Sequence, residues 1–197
     1  MEQSIEVSAV IQEEIKNCVK ALKRGHVVLY PSDTIWGIGC DMQNESAVER
    51  IYEIKNRKRS KPLILLVDSI SMLKKYITYI HPRVETLLTH HTQPLTIIYE
   101  ASAEVPSYLL NEEKTIGIRV THDEFCNGVI GTIKQPLIST SANIAGQPTP
   151  EKYENISDEL KEMVDHSISP LLDKENQQLP SVIATFNKKG ELDFLRL

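Results

Sequence analysis

The chain has 197 residues, of which 41% are hydrophobic, enough to bury one substantial core. Its 22 basic and 27 acidic side chains give a net charge of −5, which disfavours whole-surface attraction to nucleic acid and leaves a local basic patch as the only meeting point for a polyanion. Cys18, Cys40 and Cys126 are widely spaced and in no C-x-x-C pair, so neither a disulfide framework nor a zinc site is expected.

Val7, Ile11, Ile15, Cys18 and Leu22 recur at helical spacing and Gly25 can supply a left-handed stop, so the spacing predicts an amphipathic helix over residues 8–24. HVVLY (26–30) reads as the first buried strand. Asn44 can cap a helix through ESAVERIYEIKN, and PLILLV (62–67) reads as a strand covered on both faces. Residues 71–80 and 82–90 are predicted helical, and the β-branched runs PLTIIYE and TIGIRVT are predicted strands. A helix over 124–133, a strand PLIST, a polar loop SANIAGQPTP, a helix near 157–165 and strands SVIATFN and LDFLRL complete the chain. The alternation predicts a single α/β domain over 1–197. Its sheet should be open, twisted and mixed, flanked by helices, because several strands follow one another with no room for a crossover helix. No apolar run approaches the roughly 20 residues of a membrane-spanning helix. The opening MEQSIEVSAV lacks the basic start and apolar run of a signal peptide, so the expectation is a cytoplasmic protein without membrane contact.

Three segments depart from plain core and plain surface. In YPSDTIWGIGCD, Pro31 ends a strand, and Ser32, Asp33 and Thr34 stand at its carboxyl end, where open α/β sheets bind ligands. Gly37 and Gly39 would let backbone approach a ligand closely, although a plain Pro-Ser-Asp turn explains the same residues. In KNRKRSKP, alternate spacing in an extended stretch would put Lys55, Arg57, Arg59 and Lys61 on one side, able to clamp a triphosphate; the plainer reading is a solvated helix end. In STSANIAG, Ser139 to Gly146, hydroxyls and an asparagine offer neutral donors for phosphate or ribose, or simply a serine turn. With no Walker A sequence, phosphate binding would have to use side chains.

In this order the three segments resemble the YrdC/YciO family, whose best-known members are threonylcarbamoyl-AMP synthases. YPSDTIWGIGCD is similar to its Pro-Thr-(Asp/Glu)-Thr-Val-Tyr-Gly-Leu-Gly, RIYEIKNRKRSKPL to its Lys-x-Arg stretch, and STSANIAGQPTP to its Ser-x-Asn motif; weaker echoes are PLTIIY, IGIRV, LPSVI and Arg196, so the likeness spans roughly 20–196. The resemblance implies a concave ligand-binding face and a nucleotidyl transfer. L-threonine, bicarbonate and ATP give threonylcarbamoyl-AMP and pyrophosphate, Mg²⁺ arriving with ATP, and the product passes to a complex that modifies adenosine in tRNA. By resemblance, Lys55 and Arg57 are catalytic and hold the phosphates with Lys61. Ser141 and Asn143 hold the nucleotide and Arg196 closes over it; Thr34, Arg119, Ser139 and Ser181 surround threonine, whose carboxylate suits a guanidinium fork.

The chain departs from the family at several positions. His91, Thr92 and Gln93 replace a usual Trp-Pro-Gly, Thr121 replaces a proline, Leu66 stands where some members carry histidine, and Trp36 replaces tyrosine and reads as core. The extra C-terminal domain of long members is not expected. The alternative the resemblance leaves open is a YciO-type paralogue that binds nucleotide, tRNA or double-stranded RNA without synthase activity. A carbamoyl-transfer domain of a larger maturation enzyme ranks last.

Overall fold

The computed structural model describes residues 2–59, 63–173 and 179–196, with side chains from Ser8 onward. Lys61, one of the predicted phosphate ligands, lies outside the described residues.

The chain opens with α1 (Glu2–Lys23), which buries Ile15, Cys18, Val19 and Leu22. It stops at Gly25, whose φ of +78° is a left-handed turn that a side chain rarely adopts. Next come β1 (Val28–Tyr30), β2 (Gly37–Gly39) and α2 (Glu45–Ile54), the last capped by Asn44, whose Oδ1 accepts from the Ala47 N–H at 3.0 Å. β3 (Ile64–Val67) leads to α3 (Ile70–Leu73), a single turn where the sequence predicts a helix to residue 80. Past Leu73 the backbone pairs elsewhere: Thr78 N–H donates to Glu100 O at 3.1 Å and Ile77 bridges Ala101. The run Tyr76, Ile77, Thr78, Tyr79, Ile80 is aromatic and β-branched, which weakens helix and favours extended pairing.

Then follow α4 (Pro82–His90), β4 (Leu95–Glu100), β5 (Thr115–Val120), α5 (Glu124–Ile133) and β6 (Leu137–Ser141). α6 (Asp158–Met163), β7 (His166–Ser167), β8 (Val182–Phe186) and β9 (Leu192–Arg196) close the chain. Among the described residues nine strands form one sheet, in the order β7-β1-β2-β6-β3-β5-β4-β8-β9. β7 with β1, β3 with β5 and β4 with β8 are parallel and the other pairs antiparallel, so the sheet is mixed. The sequence gives no sign of two of these strands: β7 is two residues long, and β2 is Gly-Ile-Gly, a composition that lowers strand propensity.

Register decides what the sheet can do. Ile138, Leu65, Ile118, Ile97 and Ala184 stand opposite one another across β6, β3, β5, β4 and β8, an unbroken row of buried apolar side chains. One residue along each strand the side chains point to the other face, and there the row reads Leu66, Arg119, Thr96, Ile183, Arg196. Two guanidiniums from distant parts of the chain are thereby delivered to one face.

The glycines of β2 serve the sheet. A Cβ on Gly39 would collide with the Ile138 carbonyl and come within 2.9 Å of the Tyr30 ring; one on Gly37 would sit 3.1 Å from Thr140 O and 3.3 Å from Ser139 Oγ. The close approach expected towards a ligand is therefore made chiefly to neighbouring protein. On the helical side, Gly128 of α5 lies directly beneath Ile15 of α1. Cys18, Cys40 and Cys126 are all free and fully buried. Among the described residues no helix is long and apolar enough to cross a membrane.

Candidate active site

At the carboxyl end of β1 the chain turns at Pro31, and Ser32 organises the turn. Its hydroxyl donates to Ile35 O at 2.8 Å, accepts from Thr34 N–H at 3.2 Å and lies 3.0 Å from Thr34 Oγ1. This serine turn holds Thr34 against Arg119, whose Nη1 donates to Thr34 Oγ1 at 3.1 Å. Arg119 Nη2 is 2.9 Å from Asp33 Oδ1. That pair is a charge contact only: among the described residues Asp33 Oδ1 has no hydrogen-bond donor, and the buried Arg119 Nε has no acceptor. Arg119 is only 3% exposed, and an arginine buried with donor capacity to spare is set up to meet an anion.

Thr34, Trp36, Arg57, Arg119, Ser139, Ser141, Ser181 and Arg196 line one hollow of about 150 Å³. It gathers residues from the β1–β2 turn, the segment after α2, and β5, β6, β8 and β9. Ser181 Oγ is 2.7 Å from the buried Thr96 Oγ1, and Ser181 O accepts from Arg196 Nη2 at 2.6 Å and Nε at 3.2 Å. Burial lowers the proton affinity of Arg196, and the charges of Arg119 and Arg57 lower it further. Burial lowers that of Arg57 as well. Arg196 thus feels the other two guanidiniums across a hollow whose lining, among the described residues, includes no carboxylate.

A second hollow of about 440 Å³ adjoins the first and shares Thr149 with it; Asn143, Gln147, Glu151, Asn155 and Ser157 are among its walls. Seven of the sequence-predicted site residues therefore surround the deep hollow and Asn143 borders the outer one.

Lys55 departs from the expectation. The predicted extended run does not form: Lys55 ends α2 in helical conformation, Asn56 takes φ +46°, and Arg59 turns outward to pair with Glu49 and cover the Tyr52 ring. Lys55 is 1% exposed, and its ammonium donates to Ser141 O at 2.5 Å, Asn143 O at 2.6 Å and Asn143 Oδ1 at 3.3 Å. Three donors meet three oxygens, so the group ties the Ser-x-Asn loop to α2 and does not line the deep hollow. Burial, aided by Arg57, lowers its pKa to about 7. Ser141 and Asn143 are also bound to each other, Ser141 Oγ donating to Asn143 Oδ1 at 2.5 Å while Asn143 Nδ2 donates to Gln147 O at 2.7 Å.

Sequence reasoning placed Asp33 at the ligand-binding strand end without giving it a role, and left Thr96 and Thr149 out of the site. Asp33 was within reach, as a carboxylate one residue before a candidate ligand. Thr96 and Thr149 enter only through sheet register and loop path, which no local pattern encodes.

The family model Sua5_yciO_yrdC, described by the words telomere recombination, matches residues 20–197. The chain belongs to the Sua5/YciO/YrdC family. Among its relatives in this family, the threonylcarbamoyl-AMP synthase of Klebsiella pneumoniae subsp. pneumoniae is 34% identical over 139 residues, 69% of this chain and 73% of that protein. The Pseudoalteromonas translucida protein of the same name is 30% identical over 175 residues, 87% of this chain and 92% of that protein. Among solved structures of Sua5/YciO/YrdC proteins, E. coli YciO superimposes with a TM-score of 0.78 at 27% identity, covering 94% of this chain and 89% of that one. P. abyssi Sua5 complexed with L-threonine gives a TM-score of 0.82 at 24% identity over 89% of this chain. This chain spans about half the length of that Sua5 chain, 51%, and the likeness there is one of fold.

Proposed function

We propose that the chain is an L-threonylcarbamoyladenylate synthase. Threonine, bicarbonate and ATP are converted to threonylcarbamoyl-AMP, pyrophosphate and water, the product serving threonylcarbamoyladenosine formation in tRNA. The observation that carries the reading is the convergence of Arg57, Arg119 and Arg196 on one hollow whose lining, among the described residues, holds no carboxylate. Relatives sharing 34% and 30% identity bear the synthase name, and the P. abyssi Sua5 structure holds L-threonine, which supports the same reading.

The reaction brings anions together. Threonine's amine forms a carbamate with bicarbonate, with loss of water. A carbamate oxygen then attacks the α-phosphorus, and the bond from that phosphorus to the β-phosphate bridging oxygen breaks, releasing pyrophosphate. Each partner is negatively charged, so cations must offset the repulsion before in-line approach. In this reading threonine enters the deep hollow, with its carboxylate at Arg119 and its polar groups at Thr34, Ser139 and Ser181. At about 150 Å³ that hollow is below the roughly 300–1,000 Å³ of pockets for drug-sized ligands, so the nucleoside extends past Thr149 into the outer hollow beside Asn143. Arg57 and Arg196 then face the phosphates from the shared border. Mg²⁺ comes as part of the ATP substrate, on phosphate oxygens and water. Among the described residues no group of three or more His, Cys, Asp or Glu could hold a metal by itself.

The test is pyrophosphate release by the purified chain with threonine and bicarbonate supplied together and singly. Release that needs both supports the synthase, and Arg57→Ala abolishes it in a folded protein. Absence of release, with RNA binding that weakens steeply as salt rises, would favour the nucleic-acid-binding alternative.

A further inference from the structure

Trp36 is the chain's single tryptophan. It is fully buried and also forms part of the wall of the deep hollow. Its indole N–H donates to Asp173 Oδ1 at 2.9 Å, and the other oxygen of that carboxylate accepts from the Tyr153 backbone N–H at 3.0 Å. The Tyr153 ring meets the indole edge-on, with centroids 4.9 Å apart and planes at 62°. Asp173 is itself anchored, its N–H donating to Pro170 O at 2.9 Å.

One carboxylate therefore joins three segments that are distant in sequence: the approach to β2, the loop that carries Thr149 and Tyr153, and the turn at 170–172. Asp173 lines neither hollow. An indole torsion is broad by itself, and a charge-assisted hydrogen bond in a buried setting narrows it. Losing that bond would loosen Trp36, which belongs to one wall, and with it the loop that carries the border between the two hollows.

We infer that Asp173 is a positioning residue for the amino-acid substrate. It holds the Trp36 indole and the Tyr153 backbone at a fixed separation and so sets the width of the hollow that receives threonine, which it does not touch. This rests on the placement of threonine in the deep hollow proposed above.

Because Trp36 is the one tryptophan, its emission reports on this wall alone. Threonine added to the wild-type protein is expected to change that emission, and calorimetry gives an independent affinity. Asp173→Asn keeps the size but has one acceptor oxygen for two donors. It is expected to alter the emission of the free protein and to raise KM and Kd for threonine about tenfold, with kcat and the KM for ATP within about twofold. Trp36→Phe keeps a ring against Tyr153 but has no N–H, and is expected to raise KM for threonine similarly. The double variant should then lose less than the product of the two single effects.

If threonine moves neither the emission nor the calorimetric signal of the wild type, its placement in the hollow is wrong. If the wild type responds but both variants keep wild-type threonine affinity, the positioning role is overturned and the placement stands. Equal damage to kcat and to both KM values would also overturn it, showing a merely structural contact. Should Asp173→Asn fail to fold, Trp36→Phe decides by the same criteria.

Discussion

Lys55 and Arg119 are the two fully buried basic side chains among the described residues, and they sit in opposite chemical circumstances. Lys55 has an oxygen for each of its three N–H bonds, all from one loop. Arg119 has Thr34 and a charge contact with Asp33, with Nε left over. A buried cation whose donors are all met by protein holds the protein together; one with a donor to spare is ready for something that has yet to arrive. Both positions belong to motifs, and the satisfaction of their donors is what sets them apart.

Exchanging the demands on the two residues should break this contrast if it is false. The largest effect is expected from Arg119→Ala, which should lower threonine-dependent kcat/KM about 10²–10³-fold, the range for losing a charge-assisted anchor in a closed site. Arg119→Lys keeps the charge opposite Asp33 and should not restore turnover, because an ammonium cannot present the guanidinium fork. Turnover within about tenfold of wild type in either variant would put Arg119 on the scaffold side with Lys55.

Lys55→Met should show the inverse profile. Stranding the Ser141 and Asn143 oxygens should cost about 2–3 kcal/mol in denaturant unfolding, with activity lost mainly through the loosened loop. The Lys55 pKa adds a sign. Lowered to about 7 from an ordinary 10.5, the folded group gives up its proton earlier than the unfolded one does. Between those values the unfolded state binds more protons, so the contribution of Lys55 to stability rises with pH across the window and is smallest below it. The unfolding free energy of wild type minus that of Lys55→Met, compared near pH 7 and near pH 10, should therefore grow with pH. A flat difference would mean that the three oxygens hold the proton against burial. The smallest effect is expected from Arg59→Ala: its outward pairing with Glu49 is solvent-exposed, so stability should change by at most about 1 kcal/mol and turnover should hardly change.

The long strands and most of the helices, the one predicted over 71–80 excepted, were legible because their signals are local. Gly25 stopping α1, Asn44 capping α2 and the 124–133 helix are all written in short windows. β2 was not legible, because its glycines answer to the Ile138 carbonyl and the Tyr30 ring across the sheet. The hollow was partly legible. Arg119 and Arg196 lie far apart in sequence, yet the register of β5, β4, β8 and β9 sets them on one face. The basic run after α2 was misleading for a physical reason: spacing predicts a common side only for an extended chain, and the left-handed turn at Asn56 sends Lys55 inward while Arg59 turns outward.

The three sealed thiols make the molecule its own stopwatch. Cys18 sits in α1, Cys40 just after β2 and Cys126 in α5, each with burial holding its sulfur in the protonated, unreactive form. An alkylating reagent can mark each of them only during an opening of its own neighbourhood. Peptide mapping of the marks over time would rank how often the helical layer and the end of β2 breathe, with no probe introduced into the chain.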